Sequence, residues 1–191
     1  MDDGQRSDAE LALKARDGDR TAYEQLVKQY KNRIYRFIRR HVGTDEDAYD
    51  VVQDTFISAW LALHRFDQKK TFSTWLHAIA LNKCRDLGRR QAVRRRLSYL
   101  VAFFDKAQRS AAQEDNTGER LEREEQLELL DKAITKLPPA WKEPLLLTVV
   151  SGMSQEQAAS QLGITTKAVE MRIRRARKRL AITIADSQKG G

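Results

Sequence analysis

Apolar residues recur every three or four positions through most of this chain, the period of amphipathic helices packing one face inward. Asp19 or Thr21 opens a helix to about Val42, along which Tyr23, Leu26, Val27, Tyr30, Ile34, Phe37 and Ile38 keep that spacing. Ahead of it a short helix, LALKARD, is capped by Ser7 or Asp8 and stopped at Gly18. Gly43 breaks the long helix and Thr44 starts another, with Asp45, Glu46 and Asp47 suited to the positive end of its dipole. This third helix, to about His64, buries Ala48, Val51, Val52, Thr55, Phe56, Ala59, Trp60 and Leu63. The loop FDQKKTFST leads into a fourth, WLHAIALNKCRDLGRRQ, with Leu76, Ile79, Ala80 and Leu87 inward.

Beyond Arg96 the periodicity weakens, and AQRSAAQEDNTGER has the polar, acidic composition of a linker. A helical pattern resumes near Leu121 with Leu127, Leu130, Ile134 and Leu137, halts at Pro138 and Pro139, and restarts through Trp141, Leu145, Leu146, Val149 and Val150. Pro144 predicts a kink there unless it falls in the first turn.

The last stretch, SQEQAASQLGITTKAVEMRIRRARKRL, is the most informative. Ser154 and Gln157 have the spacing of a capping box, Gly163 ends the helix they start, and Thr165 or Thr166 caps the next. In that second helix Val169, Ile173, Ala176 and Leu180 point inward. Lys167, Glu170, Met171, Arg174, Arg175 and Lys178 occupy the opposite face, flanked by Arg172, Arg177 and Arg179. Two short helices about a Gly-containing turn, the second basic, form the helix-turn-helix pattern, whose second helix enters the DNA major groove. A basic amphipathic helix could also meet a membrane surface or an acidic partner, but cap, turn and charge together favour DNA.

Composition supports an all-α fold, since nine Gly and three Pro in 191 residues are few for a β sandwich. The net charge of +8 points to a polyanionic partner, and its layout is clustered. One basic run holds Lys83, Arg85, Arg89, Arg90, Arg94, Arg95 and Arg96; the second is the last helix; between them lie the acids of residues 114–131. The expected organisation is two small helical domains, residues 1–97 and 123–191, joined by an acidic flexible linker, residues 98–122. Cys84 stands alone and reads as a small buried apolar residue. No signal peptide or membrane span is evident, which implies a soluble protein inside the cell.

Candidate chemistry is binding chemistry. His41, His64 and His77 lack metal-ligand spacing, and neither a phosphate-cradling Gly loop nor a nucleophile with its base is present, so no enzyme, cofactor or metal is expected. Asp47, Asp50, Gln53 and Asp54 line one side of the third helix, either as ordinary polar surface or as a dock for a basic partner. Phe66, Lys69, Lys70, Phe72, Ser73, Thr74 and Trp75 interleave rings, hydroxyls and bases, which suits single-stranded nucleic acid. Core packing is an equal explanation for Trp75.

Together these modules resemble the small extracytoplasmic-function (ECF) class of bacterial sigma factors. GDRTAYEQLVKQY, DAYDVVQDTFISAW and FSTWLHAIALNKCRDLGRR resemble region 2 of that family; LPPAWKEPLLL with the helix-turn-helix resembles region 4. The resemblance implies a cytoplasmic initiation factor that binds core RNA polymerase through the β′ clamp helices and the β flap. Asp47, Asp50, Gln53, Asp54 and Ile57 would meet the clamp. Phe66, Lys69, Phe72, Ser73, Thr74, Trp75, Asn82, Lys83 and Arg85 would capture the melted minus-ten element. Thr166, Lys167, Glu170, Met171, Arg172, Arg174, Arg175, Arg177 and Lys178 would meet the minus-thirty-five element of promoter DNA. It further implies control by an anti-sigma factor, in some relatives anchored in the inner membrane, without direct membrane insertion of this chain. The acidic linker resembles those that thread the polymerase cleft. Pro144 and Met171 depart from the family pattern, so the promoter sequence cannot be carried over. The competing reading is a free-standing helix-turn-helix regulator with an amino-terminal sensor, which has no need of the region 2 motifs.

Overall fold

The computed structural model describes residues 3–102 and 119–189, and among them every regular element is helical. The first four helices are α1 (Asp3–Arg16), α2 (Arg20–Val42), α3 (Asp45–Ala62) and α4 (Phe72–Ala102), with a single 3-10 turn, Leu63–Arg65, after α3. The second four are α5 (Glu119–Thr135), α6 (Pro139–Val149), α7 (Gln155–Leu162) and α8 (Thr166–Lys189).

Local chemistry sets the helix ends. Asp19 accepts a hydrogen bond from the Ala22 N–H at 3.1 Å and starts α2. Gly43 closes it in the left-handed region at φ 99°, donating its N–H to the Arg39 carbonyl, a conformation that favours glycine. Thr44 caps α3 by accepting from the Asp47 N–H. The apolar stripes then meet: Leu26, Ile34, Phe37 and Ile38 of α2 are sealed against Ala48, Val51 and Phe56 of α3 and Leu76, Ala80 and Leu81 of α4. Each large side chain so buried contributes about 1.5–3 kcal/mol. Cys84 lies in this core, where burial pushes its thiol up to about 12.

In the second half, Ser154 and Gln157 form a reciprocal capping box and Gly163, at φ 66°, turns the chain into α8. Thr165 caps α8 by accepting from the Ala168 N–H at 3.2 Å. Val169, Ile173, Ala176 and Leu180 are all buried.

Several expectations are corrected. Helix α1 starts well before Ser7, and Asp8 is not a cap: it is buried within the helix, accepting hydrogen bonds from the Tyr30 hydroxyl and the Gln29 amide. Helix α4 continues through residue 97 to Ala102, and α5 begins at Glu119, so helix extends into both ends of the stretch read as linker. No Gly or Pro interrupts the chain from Arg89 to Ala102, which explains the continuation. The middle of that linker, residues 103–118, lies outside the described residues. Helix α6 continues past Pro144 to Val149. Leu127 and Val149, read as core, are exposed. On α2, Arg39 and Arg40 are half-buried, Arg39 on Asp45 and Arg40 on Asp131 of α5.

Candidate nucleic-acid interface

Helix α3 has two dissimilar long faces. Asp50, Gln53, Asp54 and Ile57 are exposed, as expected of a dock. Asp47 is different: its carboxylate accepts from the Thr44 hydroxyl at 2.9 Å and the Gln91 amide at 3.0 Å, which gives it a structural use in tying α3 to α4. Tyr49 and Leu61, absent from the sequence-derived set, are exposed with Ile57 and complete a stripe at four-residue spacing with Gln53. Nothing in the sequence singles them out; their exposure does. Alongside, Lys83, Arg90 and Arg94 of α4 face Asp50 and Asp54 across a groove of about 360 Å³.

The loop before α4 is held by its rings. Phe72 is 1% exposed and Phe66 7%, with ring centroids 5.7 Å apart; Trp75 lies 5.3 Å from Phe66 and 5.6 Å from Phe72, and Tyr30 lies 5.4 Å from Phe72. Phe66 and Phe72 therefore have no free face on which a base could stack, a correction to their sequence-based assignment. They are the floor of the loop. Trp75 is half-buried and keeps part of its ring at the surface. Thr71 caps α4 by accepting from the Thr74 N–H at 3.1 Å, Lys69 is exposed, and Ser73 and Thr74 are half-buried beside them.

Farther along α4, Asn82 is exposed seven residues after Trp75, two helical turns along the same face. Lys83 and Arg85 stand on opposite sides of that line: Lys83 turns to the α3 groove, whereas Arg85 pairs with Glu143 of α6. Seven of the nine expected minus-ten residues thus cluster at or near the surface loop, with the two basic side chains Lys83 and Arg85 diverging from it.

Helix α8 presents Lys167, Glu170, Met171, Arg174, Arg175, Arg177 and Lys178 to solvent, with Thr166 and Arg172 half-buried at the edge. Glycine turn, cap and buried stripe leave that face unobstructed by α7. Among the described residues no group of His, Cys, Asp and Glu could hold a metal ion, and no helix is long and apolar enough to cross a membrane.

Residues 26–94 match the Sigma-70 region 2 family and residues 127–180 the Sigma-70 region 4 family. RNA polymerase sigma factor CnrH of Cupriavidus metallidurans is 40% identical over 186 residues, 96% of this chain and 97% of the relative. Sigma factor NccH of Alcaligenes xylosoxydans xylosoxydans is 39% identical over 95% and 96% of the two chains. The solved structure of CnrH in complex with the cytosolic domain of CnrY matches with a TM-score of 0.68 at 35% identity, covering 94% of this chain and 98% of that one. The sigma factor RpoE of Bartonella quintana, solved with the anti-sigma factor NepR, has a TM-score of 0.63 over 85% of this chain and 96% of its own; at 23% identity it shares the fold.

Proposed function

The chain belongs to the sigma-70 family, transcription initiation factors of the ECF type that bind core RNA polymerase and direct it to promoters, and we propose how its surfaces divide that work. Residues 1–97 dock on polymerase and hold the melted minus-ten strand, residues 98–122 connect, and residues 123–191 read the minus-thirty-five duplex. The observation that carries this division is that α3 and α8 expose two chemically unlike faces, one acidic and apolar, the other basic.

Asp50, Gln53, Asp54 and Ile57 make the polymerase dock, extended by Tyr49 and Leu61, with Asp47 fixing the start of the helix. Apolar burial at Ile57 and Leu61 supplies affinity and the carboxylates supply register. Asp54→Ala is expected to weaken binding to core polymerase by about fivefold or more while leaving DNA preference unchanged, as measured by titration of labelled protein with core enzyme.

Trp75 offers a ring for an unstacked base, Ser73, Thr74 and Asn82 offer hydrogen bonds, and Lys69 offers a phosphate contact, together offsetting the cost of eversion. Phe66 and Phe72 hold that platform in place. On α8, Arg174 and Arg175 suit bidentate contact to guanine, and Met171 suits a thymine methyl. Thr166, Lys167 and Glu170 lie at the reading end, whereas Arg172, Arg177 and Lys178 position the phosphate backbone. Arg174→Ala is expected to cost about 1–3 kcal/mol at the minus-thirty-five element and to spare minus-ten melting, which permanganate footprinting would separate from duplex affinity.

The likeness to CnrH, solved in complex with the cytosolic domain of CnrY, supports control of this chain by a protein partner of the anti-sigma kind. Run-off transcription with purified core polymerase, this protein and a genomic promoter library, at stated salt, tests the whole reading. New start sites that require both proteins support it. Tight duplex binding by the protein alone, with start sites unchanged, would point to a free-standing regulator instead.

A further inference from the structure

Lys142 and Glu143 are adjacent charged residues on α6, yet they are 6% and 7% exposed. Burying two charges is costly unless each is paired. The partner of Glu143 lies in the other half of the protein, as does one of the two partners of Lys142. Arg85 of α4 grips Glu143 with two hydrogen bonds, Nε to Oε1 at 2.9 Å and Nη2 to Oε2 at 2.6 Å. The Lys142 ammonium donates to the His41 carbonyl at the end of α2 at 3.1 Å, and to the Thr135 carbonyl at 2.6 Å. A second bridge joins Arg40 Nε to Asp131 Oδ1 at 2.7 Å. The Gly43 turn also approaches the Thr135 side chain closely: a Cβ on Gly43 would stand 2.5 Å from the Thr135 methyl, and the turn's φ of 99° favours glycine as well.

The closed arrangement has two consequences for the minus-ten surface. Ser151, Gly152 and Met153, the turn after α6, wall off a cleft of about 330 Å³ whose other side is Arg33, Thr71 and Thr74. Arg85, moreover, commits its Nε–Nη2 edge to Glu143, which leaves only its outer Nη donors for a phosphate while the pair is closed.

We propose that Glu143 is an internal latch: by capturing Arg85 it closes the region 4 half over the minus-ten loop, and promoter binding requires that pair to open. The proposal rests on the minus-ten reading given above. An ionic latch suits this task better than an apolar one. Desolvation offsets much of the attraction within the pair, so closure is held by a narrow margin, and a polyanion can compete for Arg85. The seam contains a polar flaw as well, since His41 Nε2 is buried without a hydrogen-bond partner, 3.9 Å from Glu143.

The test uses the full chain carrying spin labels at two exposed positions, Glu24→Cys on α2 and Ser160→Cys on α7, with the buried Cys84 left unlabelled. Distances are read by double electron–electron resonance. Affinity is read with a fluorescent single-stranded DNA from the nontemplate strand of a promoter recovered in the run-off experiment. Glu143→Gln should turn a single short distance into a broad, longer distribution and raise affinity by about fivefold or more, because a larger fraction is binding-competent. Arg40→Glu, which breaks the second bridge at a half-exposed position, should move both readouts the same way, and adding Asp131→Arg should restore them. Unchanged distances in Glu143→Gln and Arg40→Glu would overturn the latch. Longer distances with unchanged affinity would overturn its control of DNA binding, provided the oligonucleotide binds. If no form holds the oligonucleotide, the minus-ten reading fails, while the distances still decide whether the latch exists.

Discussion

Phe72→Ala should lower the stability of the protein by about 3–5 kcal/mol, the largest effect expected of any single substitution in the minus-ten loop. The ring is 1% exposed and meets Tyr30, Phe66 and Trp75 at centroid distances of 5.4, 5.7 and 5.6 Å. Removing it leaves a cavity bounded by three aromatic rings, each tied to a different segment, so the site cannot collapse without moving the loop. Urea denaturation followed by circular dichroism would measure the loss as a fall in midpoint at similar slope. Trp75→Ala provides the contrast: half-buried, it should cost less stability and more affinity for single-stranded DNA. A loss below about 1 kcal/mol for Phe72→Ala would show that Phe72 does not organise the loop.

The second large effect is a dependence on acid set by His77. Its ring is fully buried, with Nδ1 2.8 Å from the Ser73 carbonyl, so the proton of the neutral ring is on Nδ1. Nε2 has no hydrogen-bond partner, and the ring stands edge-to-face on Phe37 at 5.3 Å. Burial, aided by the charge of Arg33 and only partly opposed by the Ser73 carbonyl, lowers its pKa from 6.5 to about 4. Between those values the unfolded chain binds a proton that the folded chain refuses. Stability from this group is therefore complete above about pH 6.5 and is lost as pH falls, by roughly 3 kcal/mol on reaching pH 4. Unfolding free energies from urea denaturation at pH 7 and pH 5 should differ by roughly 2 kcal/mol through this group in wild type, and His77→Leu should remove that contribution. Equal pH dependence in the two proteins would refute the assignment.

Glu143 acts in a lower window. Burial works to raise its pKa, but the Arg85 guanidinium, with His41 nearby, outweighs it and holds the carboxyl at about 2. The latch is thus fully charged above about pH 4.5 and loosens only as pH falls from there toward 2, which separates its titration from that of His77.

The candidate surfaces were unequally legible in the sequence. Helix α8 was almost fully so: Ser154, Gly163 and Thr165 act on neighbours within five residues, and the apolar period of Val169, Ile173, Ala176 and Leu180 fixes by subtraction which residues face water. The dock on α3 was legible in Asp50, Gln53, Asp54 and Ile57 but not in Tyr49 and Leu61, whose place in the stripe shows only in their exposure. In the minus-ten loop, residue type pointed to nucleic acid while burial separated the rings, Phe66 and Phe72 inward and Trp75 at the surface.

By itself, then, the sequence determined the helices, their caps, the two basic modules and the family, because these depend on periodicity, short-range hydrogen bonds and residue order. Tertiary structure alone decided that Asp8 would serve Tyr30, that Arg40 would pair with Asp131, and that Lys142 and Glu143 would be buried against α2 and α4. Those outcomes depend on partners 22 to 101 residues away in the chain, and no local pattern encodes the distance at which two charges will meet.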